Sequence, residues 1–553
     1  MKSWPSWPGG SEQLTVVSYQ KTVSRLAPRV LPFSKLTNTT IDLWASAGSY
    51  VSGLLTPTIR LGVTGLARSG KTVFITALIR NLLEGGRLPF FTAAAQGRIL
   101  RAYLEPQPDD EVPRFAYEDH LAVLGADPPQ WPVSTTALSQ LRITVEYETG
   151  SLLHRTLGSN MLHIDIVDYP GEWLIDLPLL EMSYDAWARD ALALARQPAR
   201  ARHAAAFFAF LRDLPSSSDP AGQSASPAAV EQIARTGAAL FTQYLNEARA
   251  DDHTLSIAGP GRFLMPGDLT GSPLLTFFPL APQQSRATPS QPADGTGETS
   301  ALTGDRQGRG RAAAADLSSL LARRYQSYKS HVVKPFFRNH FVRLDRQIVL
   351  VDALAALNAG PAALTDLQAA LQKILTCFRP GSNSWLTAIL FRRIDRLLFA
   401  ATKADHLHHS SHDRLEAVLA QLTNDALKRA RLSGAAVKVM ALAALRATTE
   451  VDVRQKGETL HCIKGVPLPG EKLGAQTFNG TTPVVIFPGD LPADPGKAIM
   501  QGRKHVTGEA EELRFIRFRP PRLPDPASHF GSVPWPHIRL DRALEFLIGD
   551  RLQ

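Results

Sequence analysis

Gly65-Leu66-Ala67-Arg68-Ser69-Gly70-Lys71-Thr72 fits G-x-x-x-x-G-K-[ST] at every fixed position. The apolar run TIRLGVTG (58–65) before it reads as a β-strand, and TVFITALIRNLL (72–83) after it carries helical periodicity. Strand, glycine turn and helix in that order form a phosphate cradle. The glycines let the backbone curl so that successive N–H groups point at one anion. The helix N-terminus adds partial positive charge. Gly65, Arg68, Ser69, Gly70, Lys71, Thr72 and Val73 are therefore the expected phosphate-binding residues. Lys71 is expected to bridge β- and γ-phosphate oxygens, and the Thr72 hydroxyl to ligate Mg²⁺.

Working outward, five further apolar runs read as strands: LSQLRITVEY (138–147), MLHIDIVDY (161–169), RQIVLVDAL (346–354), RLLFAATKAD (396–405) and VKVMALAAL (437–445). The last three are nearly continuous apolar, as buried parallel strands are. The pair at 138 and 161 is separated by a hairpin-like stretch, 150–159. Helical patterns at 71–85, 362–377, 411–431 and 537–552 separate most of the others. The alternation predicts an α/β fold, a P-loop NTPase with a mainly parallel sheet covered by helices on both sides.

Three insertions interrupt this core. The expected organisation is an N-terminal extension (1–56), a core from 57–175 and 342–447, and an insertion at 86–134 that contains the first switch. An α-helical insertion follows at 176–341, with candidate helices at 184–212, 229–250 and 312–341. A Pro/Gly-rich, irregular or β insertion spans 448–534, and a C-terminal helix at 535–553 packs on the core. Residues 214–227 and 282–310, rich in Ser, Pro, Gly and Gln, are expected to be mobile linkers.

Asp168-Tyr169-Pro170-Gly171 ends the strand LHIDIVD. A carboxylate at that strand end can hold Mg²⁺, and a glycine three residues on can offer its N–H to the γ-phosphate. Asp165, without a matching glycine, is the poorer choice. Thr402-Lys403-Ala404-Asp405 closes another strand. A carboxylate there can accept from guanine N1–H and the 2-amino group, a donor pair adenine lacks, while the lysine stem covers the base. Leu445 and Arg446, in the loop Ala443–Thr448, are the softer expectation for the rest of the guanine pocket. Thr135 is the chosen Mg²⁺-sensing threonine, with Ser134 and Thr136 as alternatives. His406, His408, His409 and His412 read first as a polar helix entry beside the base; transition-metal ligation is the alternative.

Composition sets bounds. The chain has 553 residues and a net charge of +9, which admits a polyanionic partner without selecting one. Its two cysteines, Cys377 and Cys462, argue against a disulfide framework. No signal peptide or membrane-spanning stretch is visible, so a cytoplasmic setting is expected. Nucleic acid is not an expected partner.

With these residues placed, the chain resembles the YcjX family of bacterial GTPases. The resemblance rests on GLARSGKTVFITALI (65–79), DYPGEW (168–173) followed by LIDLPLL, VVKPFFRNHFVRLDRQIVLVDAL (332–354), FAATKADHLHHSSHDRLEAVL (399–419), ALAALRATTE (441–450) and PHIRLDRALEFL (536–547). It implies a Ras-like core with an α-helical insertion arranged as in a Gα subunit. It also implies a stress-associated role, with association at the inner membrane through a protein partner. The reading is then a GTP/GDP-binding switch that hydrolyses GTP in a Mg²⁺-dependent way, with an unknown protein effector or activator. Lys71, Thr135, Gly171 and Glu172 are its expected catalytic residues. Thr72, Thr135 and Asp168 are the metal ligands. Glu172 stands where many switches have glutamine, and Pro132 and Val133 occupy the neighbourhood where a Gα subunit has its arginine. Arg68 is a partial substitute as charge donor. Without an arginine finger, worth about 10³–10⁵ in rate, slow hydrolysis is expected. The rivals are an ATPase and a nucleotide-bound scaffold at the membrane surface that hydrolyses nothing.

Overall fold

A computed structural model describes residues 56–65, 68–133, 137–149, 160–214, 226–250, 259–281, 305–376, 394–432, 434–455, 457–473, 475–497, 499, 515–523 and 534–553. The N-terminal extension up to Leu55, the hairpin connection 150–159, Cys377 and the three candidate switch residues Ser134, Thr135 and Thr136 lie outside them.

Seven strands form one mixed sheet in the order β2-β3-β4-β1-β5-β6-β7. They are β1 (Thr58–Gly65), β2 (Ile99–Glu105), β3 (Ser139–Tyr147), β4 (Asn160–Asp168), β5 (Arg346–Val351), β6 (Arg396–Ala401) and β7 (Ala436–Ala441). β4, β1, β5, β6 and β7 run parallel, and β3 and β2 add antiparallel pairings at one edge. All six expected strands are present. β2 was not foreseen: ILRAYLE carries charges and is only half-buried at the sheet edge. β7 is less buried than its apolar run suggests, because it is the opposite edge, with Ala436 and Lys438 exposed.

Alternation along β5 shows the layers. Ile348 and Leu350 join a core with Ile59, Leu61 and Val63 of β1 and with Phe74, Ile75, Leu78 and Ile79 of helix α1 (Lys71–Leu83). Val349 and Val351 face the other way, into a core shared with the helical insertion. The first core is closed by Leu540, Leu544 and Leu547 of the C-terminal helix Leu540–Ile548. Its position is fixed by polar ties: Phe90 N–H donates to Asp541 Oδ2 at 3.0 Å and Tyr147 Oη to Arg551 O at 2.9 Å.

The insertion between β4 and β5 is helical and aromatic-rich. Trp187 stacks on Tyr325 at 5.3 Å between ring centroids, and Phe277 meets both edge-on. The expected helix 184–212 is broken into Tyr184–Ala195, Pro198–Ala201 and Ala205–Arg212, since Pro198 cannot continue a helix. The expected helix 229–250 is Pro227–Ala250. Residues 305–310, expected to end a linker, instead open the helix Asp305–Tyr328; linker residues 215–225 and 282–304 lie outside the described set. A five-residue π-helix, Lys329–Val333, then leads into Lys334–Asn339, with Pro335 in its first turn.

Between β7 and the C-terminal helix, β8 (Thr449–Gln455), β9 (Glu458–Gly465) and β12 (Val484–Ile486) form a small antiparallel sheet, and β10 (Lys472–Leu473) pairs with β11 (Gln476–Thr477). Cys462 on β9 is a buried free thiol. Among the described residues no helix is long and apolar enough to cross a membrane.

Candidate nucleotide site

The carboxyl ends of β1, β4, β5, β6 and β7 lie along one side of the sheet, and strand order reverses at β1. Ligands of open α/β sheets sit in such a crevice. The register of β1 with β4 pairs Val63 with Asp168, two residues before the glycine turn. The register of β1 with β5 sets Gly65 beside Leu350.

This crowding explains the glycines. A Cβ on Gly65 would lie 2.8 Å from Leu350 O and would also collide with Ser69 Oγ. Gly70, the residue before α1, has φ 82°, and Arg68 has φ 64°. Only glycine takes such a φ without cost. Lys71 and Asp168, both buried, form an ion pair between Nζ and Oδ1. Asp168 Oδ2 and Ser69 Oγ are buried and find no hydrogen-bond partner among the described residues. Unpaired buried oxygens beside a hydroxyl and a lysine suit a hard cation and a phosphate. The donor set therefore fits a hard divalent cation such as Mg²⁺, which Asp168 and, on the cavity wall, Thr72 would be placed to hold. Asp165 is engaged elsewhere, accepting from Arg142 Nε at 2.6 Å and Nη2 at 2.9 Å.

A cavity of about 330 Å³ runs from the glycine turn to the ends of β6 and β7. Gly65, Arg68, Ser69, Gly70, Lys71, Thr72 and Val73 line its end at the glycine turn. Thr402, Lys403, Asp405 and Leu445 line the other. Lys403, at φ 59°, pairs its Nζ with Asp352. Asp405 is buried; its Oδ2 accepts from Ala447 N–H at 2.8 Å, and its backbone carbonyl accepts from Thr448 Oγ1. The loops that follow β6 and β7 are thus fastened to each other. Arg446 does not line the cavity, though Leu445 and Ala447 do. Its guanidinium turns to Thr448 O (2.9 Å) and Glu450 Oε1 (3.1 Å).

Gly171 and Glu172 open a 3₁₀ segment, Gly171–Glu181. Glu172 reaches the cavity, but its carboxylate is gripped by Arg249 at 3.1 Å. In the same segment Asp176 is fully buried, accepting from Tyr328 Oη at 2.6 Å and Gly261 N–H at 2.7 Å; burial pushes its carboxyl up to about 6 despite these bonds.

The chain matches the family described as "YcjX-like family, DUF463" over residues 59–552. The chain belongs to the YcjX-like family. Two relatives carry the name "Ras-like GTPase YcjX". That of Escherichia coli (strain K12) is 36% identical over 500 residues, covering 90% of this chain and 96% of its own. That of Shewanella oneidensis is 33% identical over 519 residues, covering 90% of this chain and 95% of its own. The match to the YcjX-like family spans the cavity and all three insertions.

Several lining residues of this family member were not foreseen. Trp131, Met265, Leu468, Arg517 and Phe518 belong to the wall, together with His406, whose place next to Asp405 the sequence already marked. Trp131 Nε1 donates to Phe518 O at 2.7 Å, which joins the stretch before β3 to the C-terminal insertion. His406 packs edge-on to Phe518 at 5.3 Å, and burial holds its imidazole below the ordinary value. In the sequence, Arg517 and Phe518 stand in ELRFIRFRP, residues 512–520, a short β-like run within the insertion at 448–534.

Proposed function

We propose that the chain is a GTP-binding protein that hydrolyses GTP. The observation that carries this reading is the single cavity in which Lys71 and Thr72 share a wall with Asp405 and Leu445. Two relatives named as Ras-like GTPases, each covered over almost its whole length, support it.

Within this reading, the loop amides from Gly65 to Val73 cradle the phosphates. Lys71 exchanges Asp168 for the β- and γ-phosphate oxygens. Thr72 and Asp168, with a threonine at 135, would hold Mg²⁺, which neutralises phosphate charge when bound. Gly171 senses the γ-phosphate through its N–H. Asp405 selects guanine while Lys403 covers the base. Glu172, tied to Arg249, orients rather than deprotonates the attacking water, and the absence of arginine before the switch threonine keeps hydrolysis slow. The core and helical insertion follow the Ras-like and Gα-like plan that the motif order suggests, and the protein acts as a switch.

Single-turnover hydrolysis tests the reading. The wild type with Mg²⁺ should release phosphate from GTP in preference to ATP, and Lys71→Ala should lose this by about two orders of magnitude or more. Equal release from both proteins would leave no enzyme. Equal use of ATP and GTP would remove the base assignment.

A further inference from the structure

Four of the 15 histidines fall between 406 and 412. The fold separates them. His406 turns inward against Phe518, and His412 bonds Ala404 O through Nε2 at 2.8 Å. His408 and His409 instead meet the β8–β9 hairpin, which the sequence places more than 40 residues later.

On that hairpin Asp452 is the cross-strand partner of His461, and Glu450 lies two residues earlier, on the same face. His461 Nδ1 stands 2.9 Å from Asp452 Oδ1, and His409 Nδ1 stands 2.7 Å from Glu450 Oε2. His408 caps both pairs. Its Nε2 is 3.7 Å from Glu450 Oε2 and 3.8 Å from Asp452 Oδ1, too far for hydrogen bonds. Its ring stacks on His461 at 4.5 Å. The ligand atoms of His408, Asp452 and His461 all lie within 4.8 Å of one another, and so do those of His408, His409 and Glu450.

We propose that His408, His461 and Asp452, with His409 and Glu450 as further donors, form a binding site for a divalent transition metal of the Zn²⁺ class. Neighbouring donors of a tetrahedral Zn²⁺ with bonds of 2.0–2.1 Å lie about 3.3 Å apart, so small side-chain adjustments suffice. Imidazole and carboxylate together suit Zn²⁺ and its first-row neighbours, whereas Mg²⁺ and Ca²⁺ prefer oxygen alone. Two carboxylates balance the metal's charge. Outer contacts are also present: His408 Nδ1 faces Ser410 Oγ at 3.0 Å, which leaves Nε2 toward the carboxylates, and Arg446 holds Glu450 through its other oxygen.

The site has a mechanical meaning. His408 lies three residues past Asp405, and Glu450 three residues past Ala447, whose N–H bonds Asp405. The metal therefore clamps the hairpin to the loop carrying Asp405, independently of whether nucleotide is bound.

The test uses the full chain, stripped with chelator and held in excess MgCl₂ so that oxygen-only sites are filled. Zn²⁺ binding is read by calorimetry and by the rise in Tm, and Co²⁺ serves as a spectroscopic probe. One Zn²⁺ per chain, a raised Tm and a Co²⁺ absorption band typical of nitrogen and oxygen ligation are expected. The exposed-side variants Asp452→Asn and His461→Gln should each weaken Zn²⁺ by tenfold or more while keeping the Tm of the metal-free protein. His408→Gln should abolish binding. No Zn²⁺ uptake by the wild type would overturn the proposal. So would equal uptake by the double variant Asp452→Asn/His461→Gln, which would place the metal on other histidines.

Discussion

Arg249 and Glu172 form an ion pair, Nη2 to Oε1 at 3.1 Å, across 77 residues of sequence. Arg249 is the penultimate residue of the helix Pro227–Ala250, where a cation also complements the helix dipole. Glu172 is buried at the cavity wall. The pair is thus a direct tie between the helical insertion and the segment that follows Asp168. Arg249→Ala leaves a buried carboxylate without its partner and should cost about 2–3 kcal/mol, less than a fully buried pair because Arg249 retains some exposure. If the two act as a unit in hydrolysis, Arg249→Ala and Glu172→Ala each slow single-turnover GTP hydrolysis by about 10- to 100-fold, and the double variant falls no further. Additive losses would separate the two residues.

Gly65→Ala puts a methyl group against Leu350 O and Ser69 Oγ. The turn must open to admit it. A stability loss of about 1–3 kcal/mol is expected from overpacking. Nucleotide affinity should fall by more than tenfold, measured with a fluorescent guanine nucleotide, because the loop amides no longer converge.

Asp405→Asn separates structural from recognition roles. The asparagine oxygen can still accept from Ala447 N–H, so the loop pair stays joined. Guanine loses a charged acceptor, while the C2 carbonyl of xanthine gains a donor. GTP should weaken by about 10²-fold and xanthosine triphosphate should improve, read by competition at fixed Mg²⁺. An unchanged preference would sink the base assignment.

Asp176 gives the fold a pH signature. Its carboxyl ionises at 3.8 in its ordinary state and at about 6 in the buried site. The stability linked to its neutral form is complete below pH 3.8 and is lost as pH rises through about 6. The shift corresponds to about 3 kcal/mol. Asp176→Asn stays neutral, keeps an acceptor for Gly261 N–H and can donate to Tyr328 Oη. Urea midpoints from pH 4 to 8 should therefore fall less steeply with rising pH in the variant than in the wild type.

The strands of the sheet were legible because their apolar runs end in Gly65, Asp168 and Thr402, residues that chemistry needs at strand ends. Edges were harder. β2 is an outer strand whose arginine and glutamate mask its periodicity, and β7 has an exposed outer side despite apolar residues. The far wall of the cavity was hidden for another reason: Trp131, Leu468 and Phe518 come from three loops that only tertiary packing brings together. Arg446 was expected at the base, but Glu450, four residues on, offers it a closer partner. His461 could join His408 only through the β8–β9 register, which no local pattern announces.

The helix Leu540–Ile548 packs against β6 and closes the apolar core that β1 and α1 share, yet it follows every strand of the seven-stranded sheet in the chain. Until it docks, the core that holds Ile59, Leu61 and Leu398 lacks Leu540, Leu544 and Leu547. During synthesis the seven-stranded sheet is therefore complete before this helix exists, and one of its apolar sides waits for a cover made last among the elements that pack on it.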